Sequence, residues 1–382
     1  MPWSEQNSYR WADWSLADLV AAKDGLRVSL VVPARNEAAT VGDVVTRVRE
    51  ALLDSVELLD EIVVIDSDST DATYAIATDA GATVHRSHEI RPDLGSRPGK
   101  GEAMWKSLFV TSGDVLVFMD ADLTDWDTHF VPGLLGPLLT RPEVALVKGY
   151  YERPGDGGLA GVLDGGRVTE LVARPLIALE HPALAGLLQP LAGEWAVRRS
   201  LFERLSVPTG YAVELAALID TAALLGVDAI AQVDLGRRAH SHQPLLDLGA
   251  MATQILAAAA RRRGLDTGAS APYSTNEGSA ASAPYSTNEG SAASAPYSTN
   301  EGSAAGPPYS TNEGSAAGPP YSTDDAPRWS SASSASVSRP GELRRDSEET
   351  VELRQYRPVD GAVVPVPRTV PVDERPPAKE VS

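Results

Sequence analysis

The chain contains no cysteine in its 382 residues. Disulfides and thiolate-held metals are therefore excluded. Basic residues are scarce as well: 33 Lys and Arg stand against 52 Asp and Glu, for a net charge of −19. So acidic a balance disfavours nucleic acid as a partner, because phosphate backbones are bound by basic surfaces. Any anionic ligand must then be held by local features: a metal, a few Lys and Arg, and backbone amides at helix starts. Long apolar runs are missing too. The most apolar long stretch, residues 245–260, is interrupted by Asp247, Thr253 and Gln254. Nothing approaches the roughly 20 apolar residues of a membrane span. The opening Met1-Pro2-Trp3-Ser4-Glu5-Gln6 lacks the basic and apolar regions of a signal peptide. A cytoplasmic protein without integral membrane association is expected. Its length allows one large catalytic domain plus further material.

What is present begins with Asp120-Ala121-Asp122. The tripeptide closes an apolar run over residues 114–119, which predicts a buried strand. Two acids at the lip of such a strand are costly unless a cation sits there. A divalent metal carrying a nucleotide diphosphate meets that need, since hard cations share carboxylate oxygens with phosphates. Taken alone, Asp-x-Asp is equally a strand-end turn. Two upstream strands end in the same style. Residues 28–32 run into Pro33-Ala34-Arg35-Asn36-Glu37, and residues 61–65 run into Asp66-Ser67-Asp68-Ser69-Thr70-Asp71. Helical patterns follow both, one on Val41, Val44, Val45 and Val48 after a Thr40 N-cap, the other over residues 72–80. Strand–helix alternation predicts an α/β fold with a Rossmann-like parallel sheet, whose ligands bind beyond the strands' carboxyl ends.

Residues 271–325 are a tandem repeat, with Tyr273, Tyr285, Tyr297, Tyr309 and Tyr321 spaced by twelve. Each unit has one aromatic and no aliphatic larger than alanine, too little apolar area to offset chain ordering. A disordered linker is expected over residues 266–338. Both a multivalent tyrosine-bearing function and a neutral expansion of short repeats fit it. Beyond it, residues 350–354 alternate like an edge strand, and the valine- and proline-rich residues 363–372 are extended but unsuited to a central strand.

The three polar strand ends together resemble a GT-A glycosyltransferase. Arg97-Pro98-Gly99-Lys100-Gly101-Glu102-Ala103, Gly165-Gly166-Arg167-Val168-Thr169-Glu170-Leu171, Gln189-Pro190-Leu191-Ala192-Gly193-Glu194 and Gly210-Tyr211-Ala212-Val213-Glu214 narrow the likeness, as does Asp228-Ala229-Ile230-Ala231-Gln232-Val233-Asp234-Leu235-Gly236. Together they are similar to actinobacterial glucosyl-3-phosphoglycerate synthases over residues 10–265. The resemblance implies a GT-A catalytic domain over residues 1–265, followed by the repeat-containing C-terminal extension. It implies transfer of glucose from a nucleotide sugar, UDP-glucose before GDP-glucose, to the 2-hydroxyl of 3-phosphoglycerate with retention. That reaction feeds methylglucose lipopolysaccharide synthesis. A homodimer is expected. Residues 339–382 form a tail whose Arg375-Pro376-Pro377 resembles the family's ending, docking on the catalytic domain or on a dimer mate.

By the same resemblance, Pro33, Ala34, Arg35, Glu37 and Ser67 cradle uridine and ribose, with Asp120, Ala121 and Tyr211 on the donor side. Asp122 and His240 hold Mg2+ or Mn2+. Lys100 sits between two glycines, where backbone can approach a phosphate closely and its ammonium can face the diphosphate. Gly166, Arg167 and Thr169 open a helical pattern, a ready phosphate site for the acceptor. Arg238 adds a second positive group there, and His242 stands where the family often has asparagine. Glu214 begins a helix over residues 215–225 and faces glucose hydroxyls; as a plain helix-start acid it would complement the helix dipole. Leu191 presents a carbonyl to the acceptor. Asp122, Glu214 and Leu191 are thus the candidate catalytic residues. Front-face attack and double displacement both remain open. The rivals are mannose transfer to the same acceptor, a polyprenyl-phosphate glycosyltransferase, and a non-catalytic scaffold.

Overall fold

In strand β2 (Val28–Ala34) successive side chains enter opposite layers: Leu30 and Val32 pack on one face of a sheet, Val31 on the other. The same alternation in β3 (Glu61–Asp66) sends Val63 and Ile65 to one layer and Ile62 and Val64 to the other. A strand buried on both faces reads as an unbroken apolar run, which is the behaviour of a parallel sheet covered on two sides. The computed structural model describes residues 2–152, 166–238, 245–263, 349–359 and 362–382.

The remaining strands are β1 (Ser8–Arg10), β4 (Thr83–Arg86), β5 (Val115–Phe118), β6 (Leu146–Glu152), β7 (Trp195–Arg198), β8 (Val207–Pro208), β9 (Ile230–Arg237), β10 (Thr350–Val359), β11 (Ala362–Pro371) and β12 (Glu374–Arg375). Six of them join β2 and β3 in the eight-stranded main sheet, in the order β1-β9-β6-β7-β5-β2-β3-β4. All neighbours pair in parallel except β7, which runs antiparallel to β5 and β6. This one reversal matters for the site. It brings the start of β7, preceded by Gly193 and Glu194, to the edge where the parallel strands end, because Trp195 pairs with Phe118.

The expected helices form, with one local difference. Helix Val41–Val48 buries Val41, Val44, Val45 and Val48. Thr40 does not cap it through its side chain; its hydroxyl turns back to the Glu37 carbonyl at 3.5 Å. The second predicted helix is Thr73–Asp79. The chain past the repeat forms a β10–β11 hairpin, with Thr350 opposite Pro371, and β12 pairs with β8. These described residues belong to one compact unit spanning Met1–Pro272 and Asp346–Ser382. The predicted disordered repeat, along with His240 and His242, lies outside the described residues.

Candidate active site

Two loops at the carboxyl edge are knit together by their own hydrogen bonds. The Ser67 amide donates to the Ala34 carbonyl at 2.8 Å. Asn36 Oδ1 accepts from the Thr70 amide at 2.8 Å, and the Asn36 amide donates to Ser69 Oγ at 2.9 Å. Asn36 adopts a left-handed φ of 58° to do this, a conformation asparagine tolerates better than most residues. Asp71 takes the Ala38 amide at 3.2 Å, and Thr73 Oγ1 accepts the Glu37 amide at 2.8 Å. The polar ends of β2 and β3 thus form one surface. Ala34 is buried within it, Pro33, Glu37 and Ser67 are half-buried, and Arg35 is exposed.

The acids after β5 meet two cations. Lys100 Nζ lies 2.5 Å from Asp120 Oδ1 and 2.8 Å from Glu214 Oε1. Arg238, only 4 % exposed, reaches Asp120 Oδ2 at 3.1 Å and Asp122 Oδ1 at 3.3 Å through one nitrogen. Its other terminal nitrogen meets Glu194 Oε2 at 2.8 Å and the Tyr151 hydroxyl at 2.5 Å. Lys100 and Glu214 stand in the first turns of helices Lys100–Ser107 and Val213–Leu225. Arg238 follows the end of β9 directly. Ala121 is buried between the two acids, and Tyr211 is exposed.

Burial works against the Asp120 carboxylate, but the Lys100 and Arg238 charges outweigh it and hold its pKa well below the usual range. Asp122 moves the other way: burial and the neighbouring Asp120 raise it against the pull of Arg238. Burial also pushes Glu37 up to about 7, with Asp122, Asp120 and Asp71 adding to the shift. Burial raises Glu194 despite Arg238, and one Glu194 oxygen has no hydrogen-bond partner among the described residues. For Lys100, Asp120 and Glu214 outweigh burial and raise its pKa. Among the described residues, Asp120 is thus held charged by Lys100 and Arg238, while burial raises Asp122, Glu37 and Glu194. Removing one partner from such a buried cluster costs about 3–5 kcal/mol.

One expectation changes in detail. The glycines flanking Lys100 do not open space for a ligand. Their missing Cβ positions are filled by the Thr209 carbonyl at Gly99 and the Pro208 carbonyl at Gly101, so they let the helix start pack against the 208–210 segment. Arg238, the second positive group expected on the acceptor side, contacts the Asp-x-Asp acids and Glu194. Gly193 was not singled out for a role, yet a Cβ there would run into the Asp120 carboxylate.

The residues expected on the acceptor side are built on another segment. Gly166 is half-buried, Arg167 is exposed and Thr169 is buried. The Gly166 carbonyl accepts from the Glu170 amide at 3.0 Å as the helical stretch begins. The loop carrying Leu191 is pinned on both sides. Gln189 exchanges bonds with the Tyr151 backbone at 2.6 and 3.3 Å. Lys148, fully buried in β6, donates to the Ala192 carbonyl. Burial and the Lys100 charge depress Lys148 to about 7, against the opposing pull of Glu214. Sequence reasoning missed Lys148, Tyr151 and Glu194 as site residues. For Lys148 the available signal was a lysine inside an apolar strand pattern, and for Glu194 its place in the block over residues 189–194.

Residues 29–203 match the family model described as glycosyl transferase family 2. A glucosyl-3-phosphoglycerate synthase of Mycolicibacterium paratuberculosis is 48 % identical over 267 residues, covering 69 % of this chain and 80 % of that protein. A Mycobacterium tuberculosis glucosyl-3-phosphoglycerate synthase crystallised with Mn2+, UDP-glucose and phosphoglyceric acid superposes with a TM-score of 0.62 at 46 % identity. It covers 68 % of this chain and 88 % of that one. A further crystal structure of that enzyme, with Mn2+, UDP and phosphoglyceric acid, covers 98 % of this chain and 99 % of that one, with a TM-score of 0.70 at 35 % identity. With its strand ends, paired acids and helix-borne Lys100 arranged as described, this chain belongs to the glucosyl-3-phosphoglycerate synthases within glycosyl transferase family 2.

Proposed function

We propose that the protein transfers glucose from UDP-glucose to the 2-hydroxyl of 3-phosphoglycerate with retention at the anomeric carbon. The observation that carries this reading is the acid pair Asp120 and Asp122 at the end of β5, held against Lys100 and Arg238.

The donor set suits a hard divalent cation. Among the described residues no three His, Asp or Glu side chains form a ready-made metal cluster. Asp122 nevertheless offers a carboxylate whose charge is only partly met by Arg238, and Mg2+ or Mn2+ habitually takes a few carboxylate oxygens and shares the rest with substrate phosphates. Asp122, with His240, would hold the ion. When bound, it neutralises charge on the leaving diphosphate.

The chain's own groups divide the remaining work. The loops after β2 and β3 bind uridine and ribose through Pro33, Ala34, Arg35, Glu37 and Ser67. Lys100 adds a point charge to the diphosphate. Glu214, fixed by Lys100, hydrogen-bonds glucose hydroxyls, and the surrounding carboxylates favour the positive charge that develops on the sugar. Leu191 accepts a hydrogen bond from the attacking hydroxyl through its carbonyl. Gly166, Arg167 and Thr169 take the acceptor phosphate, with His242 beside them. Orientation of this kind lowers the barrier.

Purified protein incubated with UDP-glucose, GDP-glucose, GDP-mannose and 3-phosphoglycerate, with product mass detection, tests the reading. A glucosylated phosphoglycerate is expected. A mannosylated product, or transfer only to a polyprenyl phosphate, would overturn it. We further propose that the enzyme acts in the cytoplasm as a homodimer; sedimentation velocity measures the second point.

A further inference from the structure

The last residues of the chain brace the helix that carries Lys100. Two routes lead there. The first is backbone. β12 runs along β8, with Glu374 opposite Pro208 and Arg375 opposite Val207, and the Thr209 amide donates to the Asp373 carbonyl at 3.0 Å. The other side of this segment faces the Lys100 helix. Glu102 donates its amide to the Thr209 carbonyl at 2.9 Å, and Gly101 donates to the Gly210 carbonyl at 3.2 Å. The Gly99 and Gly101 Cβ positions are occupied by carbonyls of the same segment.

The second route is a side chain. Arg375 Nε and Nη2 each lie 2.6 Å from an oxygen of Glu102, two residues after Lys100. Nη1 donates to the Leu94 carbonyl at 2.8 Å. The guanidinium stacks over Trp105, 5.0 Å from the ring centroid, and Trp105 Nε1 donates to the Pro376 carbonyl at 2.9 Å. Glu102 is fully buried and also accepts the Arg97 amide at 3.1 Å. A buried carboxylate held in a bidentate fork tolerates little displacement. Arg375 therefore locks together the first turn of the helix and the turn leading into it.

We propose that the C-terminal segment, through Arg375, is a positioning element for the donor subsite that sets where the Lys100 ammonium sits. The proposal deepens the functional reading above and rests on Lys100 being the diphosphate contact. Its consequence is that donor affinity depends on the far end of the chain, whereas acceptor affinity does not.

A double-mutant cycle on the full chain tests it. UDP-glucose binding with Mn2+ is measured by calorimetry for the parent, Arg375→Ala, Lys100→Ala and the double variant. Arg375→Ala should weaken donor binding by about tenfold, since small misplacements of a ligand-contacting group carry large effects. The apparent constant for 3-phosphoglycerate should stay within about twofold. In the Lys100→Ala background the Arg375 change should cost almost nothing, because contacts acting through one another are non-additive. Additive losses, or equal losses for donor and acceptor, would overturn the proposal. Should Arg375→Ala fail to fold, Arg375→Lys serves in the same cycle, keeping the charge and losing the fork. Transfer to an acceptor other than 3-phosphoglycerate would refute the assigned reaction and leave this result standing, since the coupling is read on donor binding alone.

Discussion

Lys100 Nζ stands 2.8 Å from Glu214 Oε1, so one ammonium joins the start of helix Lys100–Ser107 to the start of helix Val213–Leu225. The same nitrogen reaches Asp120 at 2.5 Å. Through these contacts Lys100, the acid after β5 and the acid proposed to face the sugar are joined in one ion-pair cluster. A change at any one of them is therefore felt by the other two.

Asp122 is the clearest target. Asp122→Ala should lower kcat by at least about a hundredfold, because a metal ligand supports several kcal/mol of charge neutralisation on the leaving diphosphate. Chelator should inhibit the parent reversibly. Steady-state turnover in excess chelator is the measurement, and full activity there would refute metal dependence.

Gly193→Ala tests the packing behind Asp120. The new Cβ would occupy the space of the Asp120 carboxylate and push it away from Lys100 and Arg238. A displacement of about 1 Å in such a constellation costs about a hundredfold in rate. Kinetics should show the loss in a variant that remains folded by circular dichroism. An unchanged kcat would mean that Asp120 can relocate freely.

Arg167→Ala tests the acceptor phosphate site. A charge-assisted hydrogen bond contributes roughly 1.5–3 kcal/mol, so the apparent constant for 3-phosphoglycerate should rise by about tenfold or more. Nucleotide-sugar binding by calorimetry should change little. Loss of donor affinity with an unaltered acceptor constant would assign Arg167 to the nucleotide side.

Lys148 predicts a pH dependence of stability. Its folded pKa is lowered to about 7 by burial and by Lys100, whereas an unfolded lysine holds its proton to about 10.4. Between these values the unfolded chain binds more protons, so this group makes the fold gain stability as pH rises from about 7 towards 10. Lys148→Met removes the term. In denaturant titrations the variant should stand best relative to the parent near pH 7, and its relative standing should fall as pH rises. Parallel curves for the two proteins would show that Lys148 stays charged throughout.

The strands at residues 28–32, 61–65 and 114–119 were legible because buried parallel strands are continuous apolar runs, and their polar ends are abrupt. The helix on Val41, Val44, Val45 and Val48 was legible from its spacing, although the role of Thr40 was not, since a capping bond depends on the dihedral angles of a single residue. Asp120 and Asp122 could be nominated from a strand end, which local sequence reports; Lys100 was nominated from its flanking glycines, and Glu214 through the family resemblance. That Arg238 would face Asp120, Asp122 and Glu194 could not be nominated. It depends on β7 reversing direction beside β5, which carries Glu194 to the same edge, and strand order is a long-range outcome of packing. The bond between Arg375 and Glu102 spans 273 positions. No periodicity records a contact at that separation. Local pattern thus determined the α/β class, the crevice and its acid pair, and the family resemblance nominated most of the other residues there. Only the tertiary structure decided which of them are paired, because pairing depends on chain ends and strand directions that meet after the sheet is assembled.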